Sequence, residues 1–169
     1  MTVPSDANPF RRDREGFAVR LERPARALLG ALASELAGVL TGATADDDPA
    51  VARLFPTAYP DDPARTMEFE HVAGEDLRRD RLERLQILSD SANARWLTED
   101  QLLAWMGAIN DARLVLGVRL GVTEETDARS FADDPDRARA WATYAYLSAL
   151  LEAIVEALGD PLPERGSGA

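Results

Sequence analysis

Six polar residues of this sequence stand at or beside positions where helical periodicity predicts apolar side chains. They are Arg78, Arg81, Arg84, Asn110, Asp111 and Arg113. The three arginines of the first group recur at every third residue of EDLRRDRLERL, so a helix places them on the same face as its leucines. In the second group Asn110 and Arg113 share a face, and Asp111 points to the other side. A guanidinium group donates hydrogen bonds in a fixed fork, so these residues are candidates for binding a carboxylate or phosphate of a partner or ligand.

The same arginines also have a structural interpretation. Arginine stems cover apolar surface while their charged heads pair with acids. Acidic runs occur nearby at residues 46–48 and 60–63. Internal ion pairs would then fasten residues 43–74 over the helices. The sequence leaves both interpretations open, a docking face and a set of internal ion pairs.

Other kinds of site chemistry find little support in the sequence. Cysteine is absent and His71 is the only histidine, so a thiol nucleophile, a thiolate metal site and a His-rich metal site are excluded. Glu68 and Glu70 precede His71, but two carboxylates and one imidazole on a short segment are more typical of a solvated turn. We find no phosphate loop, dinucleotide fingerprint, nucleophile elbow or HExxH motif. We therefore predict a noncatalytic protein with no catalytic, cofactor-binding or metal-binding residues.

The overall charge is strongly acidic. Across 169 residues, 30 acidic and 19 basic side chains give a formal net charge of −11, and every basic residue is arginine. This charge disfavours nonspecific binding to DNA or anionic lipid, although local arginine patches, including those near the N-terminus, remain candidates for contact with DNA. No apolar stretch approaches the roughly 20 residues of a membrane span, and the first residues contain no apolar signal region. We expect a cytoplasmic protein.

Capping residues and periodicity predict where the helices lie. Thr98, followed three residues later by Gln101, has the spacing of a capping box. Asp134 precedes a proline that suits the first position of a helix. Four helices are predicted, over residues 24–41, 75–93, 98–121 and 134–159.

The other segments are less regular. Residues 43–74 are rich in Asp and Pro, with space for two short helical turns near residues 49–54 and 64–72. Alternating apolar residues within 16–23 predict one short strand. No repeat of fixed period is present.

The helix predicted over 98–121 is apolar around almost its whole circumference, so neighbours must cover it on several sides. The helix over 134–159 is amphipathic instead. Its predicted packing side contains Tyr144, Leu147, Leu151, Ile154, Val155 and Leu158. The predicted fold class is mainly α, a compact bundle of four to five helices around the central buried helix at about 98–121, with one short N-terminal strand.

Both ends of the chain are polar and aperiodic. We therefore predict flexible tails over residues 1–15 and 161–169 and a single helical domain over 16–160. The apolar stripe of the last helix fits a homodimer contact as well as it fits packing inside a monomer.

Four segments resemble a known family. RLFPTAYPDDP, EDLRRDRLERL, WMGAINDARLVLGVRLGVTEE and TYAYLSALLEAIVEAL together resemble an actinobacterial family, the domain of unknown function numbered two thousand and seventeen. The resemblance covers about residues 15–160. The family includes the oxidative-stress transcription regulator AosR and is usually encoded beside the ClpS adaptor.

The resemblance implies a regulatory function. AosR works with an extracytoplasmic-function sigma factor, and its redox sensing is attributed to a C-x-x-x-C pair that this cysteine-free sequence lacks. The expected function is a noncatalytic regulator that binds sigma factor or RNA polymerase, with contact to promoter DNA left open and no cofactor. Two alternatives remain. One is an accessory protein of Clp-dependent protein quality control, and the other is a small anionic-ligand-binding domain or enzyme that uses the arginine cluster.

Overall fold

The computed structural model describes residues 8–42, 48–55 and 61–161. Within these ranges the protein is mainly helical, which confirms the predicted fold class. The helices are α1 (Arg23–Gly42), α2 (Pro49–Ala52), α3 (Pro63–Ser91), α4 (Glu99–Leu120) and α5 (Pro135–Gly159), with a 3-10 turn at Ala128–Phe131. The outermost parts of the predicted tails, at residues 1–7 and 162–169, lie outside the described residues.

Helix α3 is longer than predicted. The sequence pattern suggested a short turn before Gly74 and a separate helix after it, but one helix runs through this glycine. The carboxylate of Asp62 accepts a hydrogen bond from the backbone N–H of Arg65 at 3.1 Å, and Pro63 occupies the first turn. Asp62 therefore caps the N-terminus of α3, and the helix begins at Pro63 and not after Gly74. One glycine inside a helix costs only about 1 kcal/mol relative to alanine. The remainder of the helix outweighs that cost.

The described part of the chain also contains a small antiparallel sheet, with strand order β1 (Phe10–Arg12), β2 (Phe17–Val19) and β3 (Trp96–Leu97). The sequence predicted a single strand, which corresponds to β2. Strand β1 lies inside the segment predicted as a flexible tail over residues 1–15, so part of that segment belongs to the folded domain. Strands β1 and β3 were missed because neither FRR nor WL shows the apolar alternation that the residues around β2 show.

Helix α4 lies at the centre of the protein, as predicted. It packs against α1, α2, α3 and α5, and its residues Leu102, Trp105 and Ile109 are buried. The indole N–H of Trp105 donates a hydrogen bond to the Ser91 hydroxyl at 2.8 Å. The Trp105 ring meets Phe10 edge-on, with 6.3 Å between the ring centroids. The sheet is therefore joined to the helical core through aromatic packing.

Both ends of α4 are capped. The Thr98 hydroxyl accepts a hydrogen bond from the Gln101 backbone N–H at 3.1 Å, and the Gln101 side chain accepts one from the Thr98 N–H at 3.0 Å. The predicted capping box is thus confirmed. Gly121 follows the last turn at φ 67°, in the left-handed region that glycine adopts without strain. These caps fix the ends of the helix that carries Asn110, Asp111 and Arg113.

Candidate functional site

Arg81 on α3 and Asp111 on α4 form an ion pair inside the protein. Asp111 is only 2% exposed, and one Nη of Arg81 donates a hydrogen bond to its Oδ1. The other Nη of Arg81 donates to the carbonyl oxygen of Leu54 at 2.6 Å. One guanidinium group therefore links α3, α4 and the segment after α2. Charges removed from water need such partners, because desolvation costs several kcal/mol per ion.

Arg78 makes contacts of the same kind. One of its Nη atoms donates a hydrogen bond to the carbonyl oxygen of Leu40 near the end of α1. The Phe55 ring lies against both arginines, with its centroid 5.1 Å from Cζ of Arg78 and 5.3 Å from Cζ of Arg81. Such cation–π contacts hold the residues after α2 against α3. Arg78 and Arg81 thus make internal contacts, of which the Arg81–Asp111 contact is an ion pair.

The acidic partners differ from those that the sequence suggested. Of residues 46–48, the structure describes only Asp48, whose carboxylate lies 3.5 Å from a guanidinium nitrogen of Arg119 on α4. In the 60–63 run, Asp62 caps the start of α3. The carboxylate that pairs with Arg81 is instead that of Asp111, on the central helix.

Asp48 connects α2 to the bundle. Its side chain accepts a hydrogen bond from the backbone N–H of Ala50 at 2.8 Å. That hydrogen bond, followed by the charge and hydrogen bond of Arg119, holds the pKa of Asp48 below its ordinary value. The carboxylate is therefore ionised at neutral pH and attracts Arg119.

Two of the N-terminal arginines are also engaged inside the protein. The Arg26 guanidinium donates to main-chain carbonyl oxygens of Val19, Leu21, Ala92 and Ala94. Burial lowers its pKa from the ordinary arginine value. Arg12 donates to the Leu158 carbonyl and to Glu99, both at 2.8 Å. These two arginines hold the N-terminal strands against the helices. Their hydrogen bonds therefore stabilise the fold.

Of the other three candidate residues, Asn110 and Arg113 line a groove between α4 and α5, and Arg84 lies next to Gly107 of that groove. One Nη of Arg113 donates to Oδ1 of Asn110 at 3.2 Å, and Cζ of Arg113 lies 5.9 Å from the Tyr144 ring centroid. Arg84 reaches from α3 to Gly107, where an added Cβ would lie 2.8 Å from Cδ of Arg84. Gly107, Asn110 and Arg113 all line the groove. The structure therefore separates the six predicted residues into an internal set and a set at the groove.

The groove has a volume of about 690 Å³ and opens to solvent. The α4 and α5 helices run antiparallel along it, since Gly117 lies against Tyr144 at one end while Met106 and Val155 face the same cavity at the other. On each helix its lining spans about two turns, roughly 10 to 12 Å at 1.5 Å per residue. The lining residues are Met106, Gly107, Asn110, Arg113, Ser148, Leu151, Glu152, Val155 and Glu156.

The groove surface is mostly apolar despite its contact with solvent. Val155 is 59% exposed, and Met106 and Leu151 lie beside it, partly buried. The exposed residues Glu152 and Glu156 add negative charge on the α5 side. An open apolar strip with an acidic edge is a candidate surface for another protein.

The exposure of Val155 corrects the sequence prediction, which placed this residue on the packing side of α5. The buried stripe of α5 includes Leu147, Leu150 and Ile154. Val155 is rotated by about 100° from Ile154 around the helix axis, so α4 does not cover it. Periodicity alone missed this site because it cannot show where two packed helices leave a groove.

The family of the chain follows from a comparison over nearly its whole length. A family model described as Domain of unknown function (DUF2017) matches residues 7–158. The chain belongs to the DUF2017 family. The match extends from just before β1 to the last turn of α5, so the Arg81–Asp111 pair and the groove both lie within the DUF2017 domain. No curated protein and no solved structure matches the chain.

The described part of the DUF2017 domain contains neither a cluster of metal ligands nor a membrane-spanning helix. Among the residues that the structure describes, no group of three or more His, Asp or Glu side chains could hold a metal ion. The side chains of Glu68, Glu70 and His71 lie outside the described set, but their backbone belongs to α3 and not to the predicted turn. None of the described helices has both the length and the apolar character that a membrane crossing requires.

Proposed function

We propose that this DUF2017 protein is a cytoplasmic, noncatalytic regulator of the AosR type that binds a transcription component, either sigma factor or RNA polymerase. The single observation that carries the proposal is the open apolar groove between α4 and α5. A solvent-exposed apolar groove is a common docking feature for a segment of another protein.

The shape of the groove favours a helical segment. Its lining residues span about two turns on each of two antiparallel helices, from Met106 to Arg113 on α4 and from Ser148 to Glu156 on α5. A partner helix lying along such a groove presents apolar side chains at positions i, i+3 or i+4, and i+7. Val155, the most exposed apolar residue of the groove, would contact that apolar stripe.

The charges that line the groove favour a basic partner over a second copy of this chain. Two glutamates, Glu152 and Glu156, line the groove against one arginine, Arg113, and the chain has a formal net charge of −11. A second copy would bring like charges together, which disfavours a homodimer through this surface. A partner helix with Arg or Lys beside its apolar stripe gains charge complementarity and a faster association rate. The proposed occupant is therefore a basic amphipathic helix of the transcription component.

The choice of a transcription component rests on the resemblance to the actinobacterial family that includes AosR. Because this chain has no cysteine, the signal that controls its activity must differ from the oxidation of a thiol pair. The abundance of the partner or the binding of a ligand could provide that input. The gene neighbourhood beside ClpS, which the same resemblance implies, is the source of the alternative function in protein quality control.

Binding measurements with purified components test the proposal. The full chain is immobilised and exposed in turn to RNA polymerase core, an extracytoplasmic-function sigma factor and the Clp adaptor and chaperone, with promoter DNA as a further arm. We expect saturable binding to sigma factor or polymerase, with an association rate that falls as salt increases. Binding to the Clp components alone would overturn the proposal in favour of the quality-control alternative.

A further inference from the structure

A second cavity lies beside the last turns of α4. It has a volume of about 250 Å³, with contributions from Arg53 after α2 and Tyr144 on α5. This volume corresponds to roughly eight water molecules at about 30 Å³ each, which is room for a small organic anion. The residues lining this recess are Arg53, Arg113, Leu114, Gly117, Val118, Gly121, Val122 and Tyr144.

The recess concentrates positive charge in an acidic protein. Its two charged residues are Arg53 and Arg113, and no Asp or Glu is among its lining residues. Acidic side chains outnumber basic ones by 30 to 19 in the chain, and other arginines of the bundle, such as Arg81 and Arg119, lie beside carboxylates. Within the described ranges, neither arginine of the recess forms an ion pair. Among the residues that the structure describes, no neighbouring carboxylate therefore balances the positive charge of the recess.

Arg113 is held in place but is not fully hydrogen-bonded. Asn110 accepts from one of its Nη atoms at 3.2 Å, and the Tyr144 ring centroid lies 5.9 Å from its Cζ. Its buried Nε has no acceptor among the described residues. A buried charged donor without an acceptor is costly. An anion bound against this guanidinium would supply acceptor atoms to an already ordered side chain.

The end of α4 does not strongly oppose an anion. Carbonyl groups at a helix C-terminus carry partial negative charge. Here the Gly117 carbonyl accepts a hydrogen bond from the Val122 N–H, and the Leu120 carbonyl accepts one from Arg137, both at 2.9 Å. Hydrogen bonding to these donors reduces the negative potential that the recess would otherwise experience.

We infer that the recess binds a small organic anion whose phosphate or carboxylate group is held by Arg53 and Arg113. The forked guanidinium donors suit two oxygen atoms of such a group. Leu114, Val118 and Val122 form an apolar wall for a short carbon skeleton. This site differs from the predicted arginine cluster, since Arg113 contributes to it while Arg78 and Arg81 make internal contacts elsewhere. The inference does not rest on the proposed docking function.

Nuclear magnetic resonance titration of the full, isotopically labelled chain tests the inference. Inorganic phosphate and acetate are added in separate experiments, with ionic strength held constant by sodium chloride. We expect saturable shifts of the backbone amides of Gly117, Gly121 and Val122, which line the recess. Saturation by phosphate alone supports a phosphate-bearing ligand, and saturation by acetate alone supports a carboxylate-bearing one.

Matched arginine variants test the location of the bound anion. Arg53 is exposed, so Arg53→Gln leaves the fold intact and should weaken binding about tenfold through loss of one charged hydrogen-bond donor. Arg129→Gln removes an exposed arginine outside the recess and should leave the affinity unchanged. Absence of saturable shifts with both anions would overturn the inference. Equal affinities for the wild type and Arg53→Gln, or equal losses in the two variants, would also overturn it.

Discussion

The guanidinium group of Arg81 on α3 contacts the carboxylate of Asp111 on α4 in a place that is nearly closed to solvent. The side chains are 16% and 3% exposed, respectively. Arg81 also donates a hydrogen bond to the Leu54 carbonyl, so the pair joins two long helices to the segment after α2. An arginine on the apolar face of α3 is therefore tolerated because its charge is neutralised within the protein.

Asp111→Ala is expected to lower the free energy of unfolding by about 3 kcal/mol or more, because the variant leaves the largely buried Arg81 charge without its carboxylate. Urea denaturation followed by circular dichroism measures this loss. Asp76→Ala is the control, since Asp76 pairs with Arg79 in an exposed ion pair on α3. We expect the control to cost less than about 1 kcal/mol. Similar losses in both variants would contradict the assigned importance of the buried pair.

Replacing both charges separates the cost of an unpaired charge from the value of the pair. Breaking a buried ion pair is destabilising, whereas replacing both partners with apolar residues of similar volume is often neutral. We expect Arg81→Met combined with Asp111→Leu to be at least about 1 kcal/mol more stable than Asp111→Ala alone. The same urea titration measures this difference. A double variant less stable than the single one would show that the hydrogen bond to Leu54 dominates.

Two glycines should respond to alanine in opposite directions. A Cβ on Gly16 would lie 2.2 Å from the Leu97 carbonyl oxygen and 2.6 Å from the Trp96 ring, so Gly16→Ala must push β2 and β3 apart. We expect a loss of about 1 to 3 kcal/mol, as in other overpacked sites. Gly38 in α1 has nothing within 4 Å of its Cβ position, so Gly38→Ala should stabilise the helix by about 0.5 to 1 kcal/mol. Thermal melts of both variants measure the changes, and destabilisation by Gly38→Ala would contradict this account.

Tyr146 should titrate above the ordinary tyrosine value. Burial, with a smaller contribution from Glu22, raises its pKa above 10.0. Because the folded-state pKa exceeds the unfolded one, the contribution of Tyr146 to stability is complete below about pH 10 and is lost as pH rises through the folded pKa. The free energy of unfolding should therefore fall more steeply above pH 10 in the wild type than in Tyr146→Phe.

The absence of lysine and cysteine makes this measurement direct. Among the side chains of this protein, only tyrosines have ordinary pKa values between about 9 and 12. Absorbance near 295 nm then follows tyrosinate formation in the folded chain. A wild type and a Tyr146→Phe variant with identical alkaline stability profiles would contradict the assigned shift.

The sequence predicted those parts of the fold that have strong local signals. Thr98 with Gln101 and Asp134 before its proline mark true helix starts, because capping depends on residues only a few positions apart. Strand β3 was missed because its pairing joins Phe17 to Leu97, which are distant in sequence. Gly74 suggested a false boundary, since a weak helix former does not end a helix when the surrounding residues favour continuation.

The residue types of the candidate site were predictable from the sequence, but the partners that each side chain contacts were not. The spacing of the α3 arginines identified a face with two interpretations, and only the packing of α4 shows that Arg81 reaches Asp111. Neither the groove nor the recess has a local signature, because each depends on how separate helices pack. Val155 illustrates this limit, since its apolar character predicts burial and the gap beside α4 leaves it exposed.

The most direct test of the docking groove compares two exposed apolar residues. Val155→Asp places a carboxylate in the groove, whereas Leu77→Asp makes the same change on α3, outside it. Affinity for the sigma factor or polymerase that binds the wild type is measured by biolayer interferometry with both folded variants. We predict at least about tenfold weaker binding for Val155→Asp, equivalent to about 1.4 kcal/mol, and no change for Leu77→Asp. Unchanged affinity for Val155→Asp, or equal weakening by both substitutions, would contradict the assignment of the groove as the docking surface.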